Sequence, residues 1–351
     1  MAGVTSDTGV AALPTLVTGG AGFIGRQVVR DLLQAGSPVT ILDDLSTASP
    51  DWRGGLDGRD GWSLVVGDVA DAAAVRMAMD GCERVIHLAA STDIAGGVGH
   101  PERDFGTCVV GTQVVCSEML RRGVTDLWFA SSGVIYGATD GRPAAEGDGP
   151  YRPASHYAAA KLAGEAIISG FAHLYGWRAL VFRFGNVVGA ESDHGVVHDL
   201  VVKLLRDPTA LDILGDGRQA KPYVDVQDLV AAMGHASLTV DAPFTALNVG
   251  PPGTVTVDEI ATIVMDSLGL EPSAVARRYH RATEDGGGWV GDTPRVSFDP
   301  GHLARLGWRP SRDAREAIRR AAIGIAERYR SGDRALLTAA ERRDPVPASV
   351  G

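Results

Sequence analysis

The chain predicts a doubly wound α/β fold, a parallel sheet with helices on both faces, and a smaller C-terminal lobe interleaved with it. Three observations carry this expectation. From residue 13 to about 186, short apolar runs alternate with amphipathic helical patterns, the rhythm of repeated strand–helix–strand units. The runs are continuously apolar, as strands buried on both faces require. After residue 187 glycine and proline become more frequent and the rhythm loosens, which marks the second lobe.

The first strand is expected at residues 13–18. The first helix follows at 23–34, where Ile24, Val28, Val29, Leu32 and Leu33 recur at helical spacing and Gly36 supplies the stop. Residues 39–42, 64–66, 85–88, 127–130 and 179–183 read as further strands, with helices at 71–80, 101–122 and 157–175. In the second lobe, helices are expected at 195–206, 226–238 and 257–268. The Arg-rich stretch 312–330 alternates with acids and apolar residues and reads as a solvated helix face. The organisation predicted is a dinucleotide-binding part over 13–186 with sheet returns near 223–250, a substrate lobe mainly over 187–325, and flexible tails at 1–12 and 331–351.

Bulk properties exclude several functions. A net charge of −10 over 351 residues argues against a nucleic-acid or anionic-membrane surface, while leaving room for a small anion held by local donors. No apolar run of about 18 residues predicts a membrane span, and no basic-then-apolar leader opens the chain, so a cytoplasmic protein is expected. Cys82, Cys108 and Cys116 form no C-x-x-C pair and no disulfide framework. His194 and His198 stand four apart beside Asp193 but lack a third ligand, so no metal is expected.

The first strand runs into Thr18-Gly19-Gly20-Ala21-Gly22-Phe23-Ile24-Gly25. Glycines at 19, 22 and 25 suit a tight turn, a close backbone approach to a pyrophosphate, and close helix–strand packing, with the phosphates meeting the free N–H groups of the helix start. This is the dinucleotide fingerprint of a Rossmann-type sheet. Asp43 ends the second strand, where an acid binds the adenosine ribose hydroxyls and repels a 2′-phosphate, favouring NAD over NADP. Asp44 either shares that role or begins the loop. Asp68, after the third strand, suits an adenine contact or a helix N-cap.

The chain carries three lysines against thirty arginines, and Lys161 lies four residues after Tyr157. That spacing puts both side chains on one helix face. An ammonium beside a phenol is expected to lower the phenol's pKa.

Together these segments resemble the extended short-chain dehydrogenase/reductase family, in its nucleotide-sugar epimerase/dehydratase branch. The resemblance covers about residues 13–325. It adds His87-Leu88-Ala89-Ala90, Ser131-Ser132-Gly133-Val134-Ile135-Tyr136-Gly137, Arg183-Phe184-Gly185-Asn186-Val187-Val188-Gly189, Gly215-Asp216-Gly217, Tyr223-Val224-Asp225-Val226-Gln227-Asp228-Leu229 and Leu306-Gly307-Trp308-Arg309-Pro310. It implies catalysis by Ser132, Tyr157 and Lys161, the tyrosine being the acid/base. Cofactor contacts are implied for Gly19, Gly22, Phe23, Ile24, Gly25, Asp43, Asp44, Asp68, Val69, Leu88, Ala89, Ala90, Tyr157 and Lys161. Sugar-nucleotide contacts are implied for Ser131, Ser132, Asn186, Lys221 and Tyr223. Lys221 stands where many relatives have an arginine. Near Gly288-Trp289-Val290-Gly291-Asp292 another phosphate-binding arginine is missing, so Arg281 or Arg295 is expected to substitute. Dehydratases carry acids after the catalytic serine, whereas here Gly133-Val134 follow. The resemblance therefore implies NAD-dependent epimerisation at C4 of a UDP-hexose by a homodimer. A nucleotide-4-ketosugar reductase and a non-catalytic dinucleotide sensor remain the alternatives.

Overall fold

Seven strands form one wholly parallel sheet in the computed structural model, which describes residues 12–91, 96–139 and 141–332. They are β1 (Thr15–Thr18), β2 (Val39–Asp43), β3 (Trp62–Val66), β4 (Arg84–His87), β5 (Asp126–Ser132), β6 (Arg178–Phe184) and β11 (Phe244–Val249). Their spatial order is β3-β2-β1-β4-β5-β6-β11. The order reverses between β1 and β4, and at such a switch point the connections leave a crevice beyond the strand ends. The expected tails at 1–12 and 331–351 fall almost wholly outside the described residues.

The helices form where the apolar spacing turns to 3.6. Helix α1 (Phe23–Gln34) buries Val28, Val29 and Leu32 against the sheet, and Gly36 leaves it at φ +80°. On one face of the sheet it packs with α7 (Val226–Thr239) in a core that includes Val17, Ile41 and Phe182. The other face is covered by α2 (Ala72–Ala78), α4 (Gly111–Arg122) and α5 (His156–Tyr175), around Leu16, Val85, Met119 and Phe129. Each fully buried aliphatic side chain of this kind contributes about 1.5–3 kcal/mol. Strand β3 is the sheet edge, so it is only partly buried, with Val66 exposed.

A separate apolar cluster forms the second lobe. It joins α6 (Val196–Arg206), α8 (Val257–Ser267) and α10 (Ala314–Arg330), and takes in Val201, Ile213, Tyr223, Val264 and Ile325. A capping box of Thr256 and Glu259 starts α8. The stretch expected as a solvated face is amphipathic: α10 buries Ala317, Ile318, Ala321 and Ile325. Short strand pairs, β7 (Asn186–Val188) with β10 (Tyr223–Asp225) and β9 (Ala220–Lys221) with β12 (Val255–Thr256), link the lobe to the sheet ends.

One expected helix is interrupted. Residues 101–122 comprise a short turn, α3 (Pro101–Asp104), a π-helical stretch over Phe105–Val110, and then α4. The Thr112 hydroxyl donates to the Cys108 carbonyl at 2.6 Å, the kind of side-chain insertion that disturbs a helical ladder. Such π turns concentrate at functional sites.

Candidate active site

The turn after β1 is built by glycine where no other residue fits. Gly19 has φ +70°, and a Cβ there would lie 2.8 Å from the Ala89 nitrogen, at the end of the neighbouring β4. At Gly25 a Cβ would lie 2.1 Å from the Gly19 carbonyl oxygen. Turn, helix and adjacent strand are therefore in backbone contact at the switch point. Gly22 is the N-cap of α1, with no side-chain cap and no acid in the first turn. The helix start thus offers its N–H groups and dipole to an anion. Phe23 lies against Gly189, Ile24 packs on the core, and Leu88, Ala89 and Ala90 line the end of β4 half-buried.

Asp43 reaches this turn. Its carboxylate accepts from the Ala21 nitrogen at 3.0 Å and the Leu45 nitrogen at 2.9 Å. Burial raises its pKa despite those bonds. Asp44 turns away and accepts from the backbone and hydroxyl of Ser46, so it begins the loop. Exposed Asp68 accepts from the Ala70 nitrogen at 2.8 Å, and Asp71 caps α2 in its place. The side chain of Val69, expected at the cofactor, is core, packed against Gly111, so its backbone is what it can offer a ligand. His87 is buried between the Thr18 hydroxyl, 2.7 Å from Nδ1, and the Thr112 hydroxyl, 3.0 Å from Nε2. Burial, reinforced by the Lys161 charge, pushes it down to about 3.

On the other side of the crevice, Ser155 caps α5 and the helix carries Tyr157 and Lys161 on one face. The Lys161 ammonium is buried, donates to the Ala130 carbonyl at 2.8 Å, and lies 5.7 Å from the Tyr157 ring centroid. The surroundings of the phenol oppose the lowering expected from Lys161. Although Tyr157 keeps part of its surface, burial of its surroundings raises the phenol above its ordinary value, and Cys108 and Asp104 add to the rise. The ammonium is engaged with Ala130, and burial lowers the Lys161 pKa. Asp104 and Cys108 reach this spot through the π turn, a geometry that helical spacing does not reveal.

Ser131 and Ser132 separate at the end of β5. Ser131 is fully buried and its hydroxyl donates to Glu165, which corrects its expected place at the substrate. Successive strand side chains alternate, so Ser132 turns the other way, accepting from the Val134 nitrogen at 3.4 Å. Glu165 was legible in principle, being one further turn along the face of Tyr157 and Lys161.

In the second lobe Asn186 is exposed and stands in register beside Tyr223 of the neighbouring strand. The Tyr223 ring is buried in the lobe's core. Lys221 donates to Asp292 at 2.7 Å and lies 5.4 Å from the Trp289 ring centroid. Asp292 also accepts from the Gly288 nitrogen at 3.2 Å. Arg281 and Arg295 are both exposed. His194 and His198 pair with different carboxylates, Asp193 and Asp199.

With this geometry in view, comparison with known proteins is decisive at the family level. The NAD dependent epimerase/dehydratase family matches residues 15–250. The chain belongs to this family. The UDP-glucose 4-epimerase of Mycolicibacterium smegmatis is 32% identical, over 87% of this chain and 96% of its own. A Thermus thermophilus UDP-glucose 4-epimerase solved with NAD has a TM-score of 0.77 and 30% identity, covering 89% of this chain and 99% of that one. A dTDP-glucose 4,6-dehydratase double mutant of Streptomyces venezuelae, also solved with NAD, has a TM-score of 0.81 and 26% identity over 93% and 100%. NAD is the cofactor, and the residues present fit it. The glycines let turn, helix and strand close on one another without a Cβ in the way, the helix start is uncapped, and an acid ends β2.

Proposed function

We propose that the protein epimerises a nucleotide sugar, at C4 of a UDP-hexose, through a transient 4-keto sugar. Residues 13–186, with the sheet returns, hold the cofactor, and 187–325 mainly hold the sugar nucleotide. NAD, when bound, supplies the hydride acceptor and then the donor, so no external reductant is consumed. Tyr157 takes the proton from the 4-hydroxyl and returns it to the epimeric oxygen, Ser132 bonds the same hydroxyl, and Lys161 holds the ribose side of the site. Because burial raises the phenol, the positive charge of Lys161 has to act against it.

The observation that carries this reading against dehydration is Gly133. Elimination of water needs its own acid and base, and Gly133-Val134 supply neither after Ser132. Nor is there space for one at 133, since a Cβ there would lie 2.9 Å from the Phe298 ring. A cytoplasmic homodimer belongs to the same reading. The faces of α4 and α5 present Leu120, Leu174 and Tyr175 to solvent, and no helix among the described residues is long and apolar enough to cross a membrane.

The test is incubation of the purified protein with a panel of nucleotide sugars and no added cofactor, followed by separation of the products. A C4 epimer is expected, and Tyr157→Phe should lower turnover by about a thousandfold while bound NAD is retained. A 4-keto-6-deoxy product, or a stoichiometric demand for NAD(P)H, would overturn the reading in favour of a dehydratase or a reductase. A protein indifferent to Tyr157→Phe would be a sensor.

A further inference from the structure

Three neighbouring strands carry polar residues at one level near the end of the sheet. Ser131 of β5 pairs in register with Arg183 of β6, and Arg183 with Asn248 of β11. All three are buried. Glu165 of α5 meets this row. Its carboxylate accepts from the Ser131 hydroxyl, from Arg183 Nε at 3.0 Å and from Arg183 Nη2 at 2.6 Å. Arg183 Nη1 extends the contact to the Tyr136 hydroxyl at 3.0 Å, the Tyr151 hydroxyl at 3.2 Å and the Glu146 carbonyl at 2.9 Å. Tyr136 in turn donates to Asn248, whose amide reaches the carbonyls of Ala144 and Asp299.

Stability is a weak reason for such a pair. Apolar replacements of a buried ion pair are often neutral or stabilising. Its placement offers a better one. Lys161 donates to Ala130, and Glu165, one turn further along α5, accepts from Ser131. These two bonds join successive residues of β5 to successive turns of α5, and the next residue of β5 is Ser132. The helix cannot slide or turn against the strand without breaking one of them. Burial alone would drive the Arg183 guanidinium toward neutrality, and the fork with Glu165 holds it charged.

We infer that Glu165 and Arg183 are positioning residues, a buried fork that fixes Ser132 relative to Tyr157 and Lys161 and anchors the 144–151 segment to the same point. This rests on the reading that Ser132 and Tyr157 act on one sugar hydroxyl. Two variants test it. Ser131→Ala removes one hydrogen bond and keeps the ion pair, whereas Glu165→Gln keeps the shape and breaks the charged fork. Crystal structures with NAD should show the Ser132 Oγ to Tyr157 Oη separation displaced by about 1 Å in Glu165→Gln. The rate at which bound NAD is reduced on adding a sugar nucleotide should fall about tenfold or more, with KM and NAD retention unchanged. The two substitutions combined should cost less than the product of their separate effects.

An unchanged separation and rate in both variants would overturn the inference. Should Glu165→Gln fail to fold, a Ser131→Ala protein with wild-type separation and rate would overturn it alone. If the wild type reduces NAD but forms no epimer, the proposed reaction fails, and the positioning role is still decided by the measured separation.

Discussion

The two sides of the crevice are built by different means. On the cofactor side the backbone makes the site. Gly19 meets the end of β4, Gly25 meets the Gly19 carbonyl, and the start of α1 is left open. On the side of the second lobe, where the sugar nucleotide is proposed to bind, side chains dominate, and they are already engaged: Lys221 donates to Asp292 above Trp289, with Tyr223 in register beside Asn186. A backbone site tolerates almost no substitution, because peptide atoms cannot move aside. A side-chain site tolerates rearrangement, because rotamers can move where peptide atoms cannot.

The largest effect should therefore come from the smallest added group. Gly25→Ala places a methyl 2.1 Å from the Gly19 oxygen, which only a backbone shift relieves, at a cost of about 1–3 kcal/mol or more. Titration with NAD should show affinity reduced about a hundredfold or lost. Gly170→Ala in α5 is the control, since nothing lies within 4 Å of its Cβ, and it should leave binding intact while raising stability by up to about 1 kcal/mol. Normal NAD binding by Gly25→Ala would break the contrast between the two sides.

The same contrast explains what was legible in the sequence. The parallel sheet, the span Phe23–Gln34 and the glycine turn were readable because periodicity and forced glycines are local signals, whereas the spatial order of the strands was not. Tyr157 and Lys161 were placed correctly on one helix face, but the burial that raises the phenol and the contact with Ala130 were not legible, because they depend on β5, far away in the chain. Ser131 and Ser132 look equivalent in sequence, and only the strand's alternation, fixed by pairing, sends one to Glu165. The side chains of Val69 and Tyr223 turn into the cores of the two lobes, a direction that a motif does not specify. Asp292 lies 71 residues from Lys221, beyond any local pattern.

A second, smaller effect sharpens the comparison through acid. His87 is buried between two hydroxyls on the cofactor side, whereas His194 and His280 of the second lobe stand beside Asp193 and Asp212. With its folded pKa near 3 against an ordinary 6.5, His87 takes up a proton in the unfolded chain first. Stability should then rise with pH across that window and fall as pH drops from about 6.5 toward 3. The loss by pH 5 is about 2 kcal/mol. Urea unfolding midpoints between pH 7 and pH 5 should drop less in His87→Gln than in the wild type. Parallel curves for the two proteins would assign the acid sensitivity elsewhere.

The smallest effect separates binding from packing in the second lobe. Lys221→Met removes the charge proposed to meet the sugar nucleotide, so KM should rise about tenfold with kcat held, the scale of one charge-assisted hydrogen bond. The same change strips Asp292 of its cation, and the side chain of Asp292 is 2% exposed. An uncompensated carboxylate at that depth costs about 1–3 kcal/mol and would displace the loop around Trp289. A rise in KM therefore has two possible origins. Lys221→Met/Asp292→Asn distinguishes them, because it removes the stranded charge while retaining an acceptor for the Gly288 nitrogen. Recovery of the melting temperature with KM still raised means that Lys221 contacts the ligand. Recovery of both means that its work is to hold Asp292, and that the diphosphate is met by another group, with exposed Arg281 and Arg295 the next to substitute.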